Sequence, residues 1–263
     1  MAAACVLTAP DHPLAQALLS RGMLEGMTFF VAQDQLATVQ QRCAMEQLAN
    51  PTALQGYEAD HGDALFLSIE GMPHQINVPD GARQMVVGFG GGERDAGLDD
   101  ISVRIHDMLP PLSNSQDSAM FRLWMETSLR GEVPEILADE RYWFDINDAV
   151  AALIELIKGQ PETATYNLAG RRGWTHEETW TEFHPLVQRA MAGQNGMFAI
   201  EHLVARGVAS IGVKEITDGD HNQRPSLSSI HAYLKKATGE GWRPKTPLRQ
   251  SLMLVIADLN QAP

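Results

Sequence analysis

Short apolar runs alternate with helix-like patterns along the first 50 residues. Residues 4–8 and 27–31 are compact apolar runs typical of buried parallel strands. Between them, leucines and alanines recur at helical spacing from Leu14 to Gly22, and Gly22 is the predicted C-terminal cap of that helix. Strand, helix and strand within about 30 residues predict a βαβ unit at the start of the chain.

The same alternation continues through the rest of the chain. Helices are predicted over residues 35–50, 64–69, 118–130, 151–158 and 200–208, and after Leu248. Strands are predicted over residues 54–58, 84–89 and 101–105. Strands that alternate with helices favour an α/β class.

The turn after the first strand, residues 9–13, lacks glycine. A dinucleotide site at this position needs glycines so that the backbone can approach a pyrophosphate at the helix N-terminus. Here Pro10 and Pro13 remove N–H donors, and Asp11 adds negative charge. The pattern favours a turn without a ligand, although Asp34, after the second strand, remains a candidate for a ribose hydroxyl as well as an ordinary solvated acid.

A glycine run follows the strand over residues 84–89. Gly90 and Gly91 stand where open α/β sheets bind ligands, at the carboxyl end of a strand. The run does not fit the G-x-G-x-x-G pattern. Two interpretations stay open, a flexible loop and a ligand-facing loop that contributes Gly90 and Gly91 to a cofactor site.

Composition narrows the classes of protein. The chain has 263 residues, 44% of them hydrophobic and 20% charged, with a formal net charge of −13. This acidity disfavours binding to nucleic acids or to anionic membranes. Two cysteines are too few for a disulfide framework, and no apolar run approaches the roughly 20 residues of a membrane helix. No Lys or Arg precedes Arg21, so we expect a soluble, cytoplasmic protein without a signal peptide.

Four segments follow one another in an informative order. They are Val103-Arg104-Ile105 with Pro111, the segment 141–150 ahead of a helix, Tyr166-Asn167-Leu168 with Gly170, and Gly241-Trp242 with Pro244 ahead of the last helix. A capping box, Thr175 with Glu178, predicts the start of a further helix.

This order resembles the extended short-chain dehydrogenase/reductase family, in particular its nucleotide-sugar epimerase and dehydratase branch. The resemblance is loose before residue 100 and closer after it. The residues that match are Arg104, Pro111, Arg141, Trp143, Ile146, Asp148, Tyr166, Asn167, Leu168, Gly170, Gly241, Trp242 and Pro244. The residues that depart are Asp107, Leu109, Pro110, Tyr142, Asp145 and Asn147.

The resemblance implies a shortened Rossmann-like parallel sheet with helices on both faces and a small C-terminal lobe. The core is expected over residues 1–170 and the lobe over residues 171–263, with residues 113–144 as a candidate addition to the lobe.

The family transfers hydride to a bound nicotinamide, with a Tyr as acid/base and a Lys four residues later. This chain has four tyrosines, and none has a lysine at that distance. The residues found there are His61 after Tyr57, Ile146 after Tyr142, Gly170 after Tyr166 and Ala237 after Tyr233. The interval from Gly90 to Asp100 is also too short for the helix, strand and helix that the family places before the Val-x-Arg strand. We therefore predict no catalytic residue of the family type.

Other chemistries find little support. No Ser-hydrolase elbow, phosphate loop or zinc-protease motif occurs, and no metal site is predicted. The segments 60–63 and 218–221 contain Asp and His, but polar turns are the simpler interpretation. A basic stretch runs from Arg224 to Arg249 and contains Arg243. It is a candidate anion site for a nucleotide or sugar phosphate, together with Arg104, or a solvated or partner-docking surface.

The leading hypothesis is a catalytically degenerate epimerase/dehydratase-like protein that acts as a binding or assembly subunit, either as a homo-oligomer or with a protein partner. The alternative is an enzyme that binds NAD, NADP or a nucleotide sugar and uses other residues, with Arg104, Asp107, Tyr142 and Asp145 as candidates. NAD or NADP is possible by family, and the first turn without glycine argues against it. A nucleic-acid binder is the third hypothesis, and the net charge speaks against it.

Overall fold

The computed structural model describes residues 3–58, 64–90, 100–137, 139–200 and 224–261. The chain divides into two compact units. The first comprises Met1–His106, Ile146–Ala169 and Ser226–Lys245, and the second comprises Asp107–Asp145, Gly170–Pro225 and Thr246–Pro263. Residues 226–245, expected in the C-terminal lobe, group with the first unit, and residues 107–145 group with the second.

The secondary structure consists of short strands and helices. The strands are β1 Ala4–Leu7, β2 Thr28–Val31, β3 Leu54–Gly56, β4 Leu65–Ile69, β5 Gln84–Phe89, β6 Ile101–Ile105, β7 Met108–Leu109, β8 Glu140–Arg141, β9 Phe144–Asp145, β10 Thr165–Leu168 and β11 Trp174–Thr175. The helices are α1 Pro13–Leu24, α2 Leu36–Arg42, α3 Ala44–Ala49, α4 Gln116–Leu129, α5 Ile146–Gly159, α6 His176–Gln194, α7 Ser228–Thr238 and α8 Leu248–Gln261. The helix predicted over residues 200–208 lies outside the described residues, apart from Ile200.

The first unit is built on a seven-stranded sheet with the order β3-β2-β1-β4-β5-β6-β10. Each pair of neighbouring strands in this order is parallel. The predicted α/β class with a Rossmann-like parallel sheet is confirmed.

One predicted element has the wrong type. Residues 64–69 were expected to form a helix, and the structure has strand β4 at Leu65–Ile69 instead. Every residue of β4 is buried, so the apolar run carries no period-2 signal and resembles a buried helix segment. With β4 assigned, Gln84–Phe89 is the fifth strand of the sheet, so no strand is missing ahead of β6.

Two smaller predictions about helices are also wrong. The helix expected over residues 35–50 is divided into α2 and α3 at Cys43, whose φ of −100° and ψ of 28° interrupt it. Gly22 is not a C-terminal cap but lies within α1. A Cβ at Gly22 would come within 2.5 Å of the Phe29 ring, so glycine permits close packing of α1 on β2.

The two faces of the sheet differ in chemistry where β4, β5, β6 and β10 lie side by side. Side chains alternate between the two faces of a sheet along each strand. The register shows which residues of neighbouring strands lie side by side, so it assigns each residue to one face. One face carries Leu65, Leu67, Met85, Val87, Ile101, Val103 and Tyr166. The opposite face carries Ser68, Gln84, Val86, Ser102, Arg104, Thr165 and Asn167. We call these the apolar face and the polar face.

Helices pack on the apolar face. Gly22 of α1 approaches Phe29, and Tyr233 of α7 packs edge-on against Tyr166 with ring centroids 5.8 Å apart. Helix α5 lies beside α1, because Lys158 pairs with Glu25 at 2.7 Å.

On the polar side of the sheet, the described covering is a segment without helix. Ile76, Val78 and Ala82 of residues 70–83 pack with Phe30 and Phe66. Farther along the same face, Gln84 donates a hydrogen bond to Ser68 Oγ at 2.9 Å. Helices were expected on both faces; in the described part of this unit, the side-chain contacts place α1, α5 and α7 on the apolar one.

The second unit has a core rich in aromatic side chains. Phe121 and Trp124 of α4 pack with Trp143 and with Trp180 and Phe183 of α6, and α8 adds Leu252, Val255 and Ile256. Two short strand pairs, β7 with β9 and β8 with β11, border this core. The predicted capping box is confirmed, since the Thr175 hydroxyl and the Glu178 carboxylate each accept the other residue's backbone N–H.

Gly170, one of the residues that carry the family resemblance, allows a close backbone approach in the second unit. Its N–H donates to the Tyr142 carbonyl oxygen at 2.7 Å. A Cβ at this position would lie 2.3 Å from the Trp143 carbonyl oxygen. Because the obstacle is backbone, a side chain here could be accommodated only by moving the chain.

We therefore expect Gly170→Ala to lower the free energy of unfolding by about 1–3 kcal/mol, the usual cost of overpacking. Gly193→Ala is the matched control, because nothing lies within 4 Å of its Cβ position in α6. The control should gain up to about 1 kcal/mol from helix propensity. Guanidinium unfolding followed by tryptophan fluorescence measures both, since four of the five tryptophans belong to the second unit. Equal effects of the two substitutions would contradict the close approach.

Candidate functional site

The candidate site in the first unit is the carboxyl edge of the parallel sheet, where open α/β folds bind ligands. The turn after β1 leads into α1, with His12 as the N-cap and Pro13 as the first helical residue. The His12 Nδ1 accepts the Leu14 N–H at 3.2 Å. Pro13 has no N–H, and the Leu14 N–H already donates to His12. Neither position therefore offers a free donor to a phosphate.

Asp11 ties the same turn to α2. Its carboxylate pairs with Arg42 at 2.9 Å and accepts a hydrogen bond from Gln35 Nε2 at 3.3 Å. Arg42 also donates to the Pro10 carbonyl oxygen at 3.4 Å. The cation nearest to the turn is therefore engaged by the turn's own carboxylate.

The His12 ring stacks on Phe89, at the end of β5, with centroids 5.3 Å apart and planes 30° apart. Burial lowers the pKa of His12 from its ordinary value of 6.5, so the neutral ring that serves as cap is favoured. The imidazole thus occupies the position between the turn and β5 in a form suited to accepting a hydrogen bond.

These observations test whether the residues fit a dinucleotide. A pyrophosphate at α1 would need free N–H donors and glycine backbone, whereas the turn offers a side-chain cap, a proline and a carboxylate. The residues of this turn do not fit the group.

A buried ion pair crosses β5 at the polar face. Arg104 of β6 and Glu70, just after β4, are joined at 2.6 Å, with side chains 11% and 23% exposed. Gly88 of β5 lies between them, and a Cβ there would come within 2.3 Å of Arg104 Nη1 and 2.4 Å of Glu70 Oε2. Arg104 is therefore charge-paired inside the fold.

Polar side chains also meet beyond β6 and β10. The His106 ring nitrogen Nε2 and Asn167 Oδ1 lie 3.2 Å apart, and Asn167 donates to the Ser226 carbonyl oxygen at 3.0 Å. The carboxyl edge thus assembles an arginine, a glutamate, a histidine and an asparagine, but with partners inside the chain.

The residues proposed for cofactor binding lie apart from these contacts. Asp34 is exposed in the turn after β2. Gly90 directly follows β5 with a φ of 81°, which glycine adopts without strain, and its N–H donates to the Ile105 carbonyl oxygen at 2.9 Å. Gly91 lies outside the described residues. Cofactor binding through Asp34, Gly90 and Gly91 stays a prediction.

The three arginines proposed for anion binding do not form one cluster within a unit. Arg243 is exposed and belongs to the first unit with Arg104, whereas Arg224 belongs to the second unit. Arg224 donates to the Arg171 carbonyl oxygen at 3.5 Å. Their role in anion binding also stays a prediction.

The alternative candidates for catalysis hold the second unit together. Asp107 has a φ of 53° and accepts the Tyr142 N–H at 2.7 Å, while Arg141 Nε lies 3.7 Å from its other oxygen. Asp145 is fully buried and accepts the Ser251 hydroxyl at 2.7 Å. Both carboxylates are positioned by contacts of structural type.

Two further motif residues form hydrogen bonds that link distant segments of the first unit. Asp148 Oδ1, at the start of α5, accepts the Lys245 N–H at 2.9 Å. The buried Trp242 indole donates to the Ala169 carbonyl oxygen at 2.8 Å. The motif residues Asp148 and Trp242 thus specify how distant segments of the first unit join.

The described part of the chain contains neither a cluster of metal ligands nor a helix that could span a membrane. No group of three or more His, Cys, Asp or Glu side chains there could hold a metal ion. The segments 60–63 and 218–221 lie outside the described residues. None of the described helices is both long and apolar enough to cross a bilayer.

Comparison with known proteins reveals likeness in fold only. No protein-family model matches the chain, and no curated protein matches it. Among solved structures, WbmF from Bordetella bronchiseptica in complex with NAD+ and UDP is 12% identical, with 99% of this chain and 94% of that chain covered and a TM-score of 0.52. UDP-N-acetylglucosamine 4-epimerase from Bacillus cereus is 9% identical, with 98% and 99% covered and a TM-score of 0.51. dTDP-glucose 4,6-dehydratase from Bacillus anthracis in complex with NAD is 12% identical, with 97% and 96% covered and a TM-score of 0.50.

The fold is therefore that of the nucleotide-sugar epimerases and dehydratases, and the predicted resemblance to the extended short-chain dehydrogenase/reductase architecture is confirmed at the level of the fold. At 9–12% identity the likeness extends over nearly the whole length of each chain, so it concerns the complete architecture and not one motif.

Sequence reasoning missed three functional features of the turn and the edge. It did not assign His12 as a side-chain cap, Phe89 as its stacking partner, or Glu70 as the partner of Arg104. The position of a histidine directly before Pro13, where the helical pattern starts, could have indicated the cap, because an N-cap residue precedes the first helical position. Nothing local in the sequence pairs Glu70 with Arg104.

We expect His12→Ala to lower the free energy of unfolding at pH 7.5 by about 1 kcal/mol, the usual cost of losing an N-cap. His12→Asn is the matched variant, since Asn caps helices well, and it should retain most of the stability. Denaturant unfolding of the three proteins at equal pH measures this directly.

The pH dependence gives a second measurement on the same variants. Because the pKa of His12 is lower in the folded protein, its contribution is full above the ordinary value of 6.5 and falls as the pH drops below it. Stability should therefore fall less steeply with acidification in His12→Asn than in the wild type. A residual slope is expected, since burial also lowers the pKa of His176. Identical slopes in both proteins would show that His12 does not cap α1 as a neutral ring.

Proposed function

We propose that this chain is a non-catalytic binding or assembly subunit with the architecture of a nucleotide-sugar epimerase or dehydratase. The observation that carries the proposal is the hydrogen bond from the Leu14 N–H to His12 Nδ1, beside Pro13. The helix N-terminus that would receive a dinucleotide pyrophosphate is capped by the chain's own side chain.

The chemistry of hydride transfer finds no support in the sequence either. No tyrosine is followed four residues later by a lysine. A tyrosine with an ordinary pKa near 10 needs such a nearby cation to act as acid or base at neutral pH. Only the residues from Gly90 to Asp100 separate β5 from β6, an interval too short for a long intervening helix with its two connections.

Two tyrosines illustrate the same point. Burial raises the pKa of Tyr166 and of Tyr233, which is the direction opposite to activation. Their rings pack against each other, and Tyr233 donates its hydroxyl to the Glu155 carbonyl oxygen at 3.0 Å. We therefore assign both to the packing of α7 on the sheet.

A second candidate function is an epimerase, dehydratase or reductase that binds NAD, NADP or a nucleotide sugar and uses a non-standard active site. The likeness in fold to WbmF with NAD+ and UDP favours it. Exposed Gly90, at the carboxyl end of β5, offers one position where a ligand could approach the backbone. This candidate requires a binding mode that leaves the α1 cap intact.

The two candidates predict different ligand responses. A ligand with a Kd of about 10 μM, tested at about 1 mM, adds about 2.7 kcal/mol and would raise the Tm of a chain of this size by roughly 5–10 °C. We expect NAD+, NADH, NADP+, UDP and UDP-N-acetylglucosamine each to leave the Tm unchanged within about 1 °C at that concentration. A rise of several degrees with any of them would favour the second candidate, and turnover of that ligand by the purified protein would overturn the first.

An exposed apolar pair supports the assembly role. Met45 and Leu48 stand one helical turn apart on α3, with 76% and 79% of each residue exposed. Helix α3 has no buried residue at all, so neither side chain serves the core. We infer that a second copy of the chain covers this pair, because removing apolar side chains from water is favourable.

We accordingly expect the protein to self-associate at micromolar concentration and the double variant Met45→Lys/Leu48→Lys to be monomeric. Two buried ammonium groups would oppose an apolar contact, while their exposure in the monomer leaves stability little changed. Gln41→Lys, at an exposed position of α2, is the control and should keep the wild-type state. Light scattering coupled to gel filtration measures the mass. A monomeric wild type at 100-fold varied concentrations would contradict self-association through α3.

A further inference from the structure

The segment that joins β4 to β5, residues 71–82, contains neither helix nor strand, and we call it the strap. It begins at the carboxyl end of β4, which lies directly beside β1 in the sheet. The order of the strands reverses here, because β2 and β3 lie on one side of β1 and β4 lies on the other. In open α/β folds the crevice at such a reversal is the usual position of a ligand. The strap therefore starts at the edge of that crevice.

A backbone hydrogen bond and a buried isoleucine attach the strap to the sheet. The Gln75 N–H donates to the Thr8 carbonyl oxygen at 3.1 Å, and Thr8 directly follows β1. Ile76 is 6% exposed and packs in one cluster with Phe30 of β2 and Phe66 of β4. The strap thus reaches from the end of β4 to the end of β1, and its isoleucine covers aromatic side chains of the sheet.

The rest of the strap is more loosely attached. Ile76 is its one buried residue, while Val78 and Ala82 are half-buried beside the same cluster. In the part of the chain that the structure describes, no side chain of the strap forms a hydrogen bond or an ion pair. Segments with few buried apolar contacts open locally at a lower free energy than the core unfolds. We therefore expect the strap to open more easily than the strands that it joins.

Both ends of the strap carry a glycine in the left-handed region. Gly71 has a φ of 78° and Gly81 a φ of 75°, and no atom of a neighbouring segment lies within 4 Å of a Cβ position at either. Just inside them, Pro73 and Pro79 fix φ and limit the conformations of the chain between. A stiff segment between two permissive residues can move as one unit, because hinges are a few loop residues that absorb large changes in φ and ψ.

An aromatic surface lies beneath the strap. Phe66 is 1% exposed, and the Tyr57 ring packs edge-on against it with centroids 5.6 Å apart. Withdrawal of Ile76 would remove cover from Phe66 and Phe30, and it would release the Thr8 carbonyl oxygen at the end of β1. The closed strap therefore keeps both apolar surface and a backbone acceptor out of water.

We propose that the strap is a hinged cover of this crevice, which opens as a unit about Gly71 and Gly81 while the sheet stays folded. When closed, it occupies the space in which a ligand would approach the ends of β1 and β4. When open, it exposes the apolar surface beneath Ile76. The proposal goes beyond the proposed function, because it concerns access to the crevice and holds whether or not the chain is catalytic.

Hydrogen exchange of single amides, measured by NMR under native conditions, tests the opening. We expect the Gln75 amide to exchange at least about tenfold more slowly than an unstructured amide. It should also exchange at least about 100-fold faster than the Val87 amide in the middle of β5, because local opening costs less than global unfolding. An unprotected Gln75 would show that the strap is not closed, and exchange as slow as at Val87 would show that it does not open by itself. Either result overturns the proposal.

Two matched substitutions separate local opening from unfolding. Ile76→Val weakens only the closed strap, so it should raise exchange at Gln75 by about two- to tenfold. Ile101→Val, at a position of β6 that is 1% exposed, weakens the sheet in the open and the closed protein alike. It should therefore raise exchange at Val87 and leave exchange at Gln75 unchanged. Equal increases at Gln75 in both variants would mean that the strap unfolds only with the sheet, contrary to the proposal.

A charged anchor tests the surface beneath the strap. Ile76→Asp should hold the strap open, because a buried carboxylate without a partner is costly and an exposed one is not. Asn77→Asp adds the same charge at the exposed neighbouring position and is the control. Ile76→Asp should raise the fluorescence of anilinonaphthalene sulfonate, a dye that binds exposed apolar surface, several-fold over the control. Both variants should keep the far-UV circular dichroism of the wild type. An Ile76→Asp protein that loses its sheet, or that binds no more dye than the control, would show that the strap is not a separate cover.

Discussion

The alternation of side chains along the parallel strands is the constraint on which the first unit depends. Register places apolar residues such as Leu67, Val87 and Val103 on one face and polar ones such as Ser68 and Ser102 on the other. A parallel sheet is usually buried on both faces and reads as continuous apolar runs. In the described part of the first unit, α1, α5 and α7 pack on the apolar face, whereas Phe30 and Phe66 on the other face pack against Ile76 and Val78. The polar face instead satisfies its groups by hydrogen bonds and by the ion pair of Arg104 with Glu70.

The Arg104–Glu70 ion pair shows how charged side chains stabilise this fold. A charged pair as poorly exposed as this one is costly to form and costly to break, since removing one partner leaves an uncompensated charge. Gly88 makes room for the pair by lacking a Cβ, so three strands share one arrangement. Two hydrogen bonds also join residues that are distant in sequence. Asp148 accepts one from Lys245 in the first unit, and Asp145 accepts one from Ser251 in the second. Polar side chains thus link segments that are distant in sequence.

The sequence predicted most of the sheet because its strands are short apolar runs bounded by turns. It failed at β4, where burial on both faces erases the period-2 signal that separates a strand from a helix. It predicted a glycine-free turn after β1 with Pro13 and Asp11 in it, since proline chemistry is local. It could not predict the stacking of His12 on Phe89, because that contact joins residues about 80 positions apart through sheet register. Effects of residues on their immediate neighbours can be predicted from a sequence. Side-chain pairing across strands cannot, because it depends on the assembled sheet.

The first turn shows why fold and function can separate. A strand, a turn and a helix need only a cap at the helix N-terminus, and either a ligand or a side chain can provide it. In this chain the His12 imidazole provides it and Pro13 starts the helix, so α1 is stable without a bound phosphate. Once the cap is internal, no bound phosphate is required to complete the helix N-terminus. The stability of α1 therefore depends on the protonation state of His12. In a protein whose helix N-terminus is completed by a bound cofactor, it would depend instead on how fully the cofactor site is occupied.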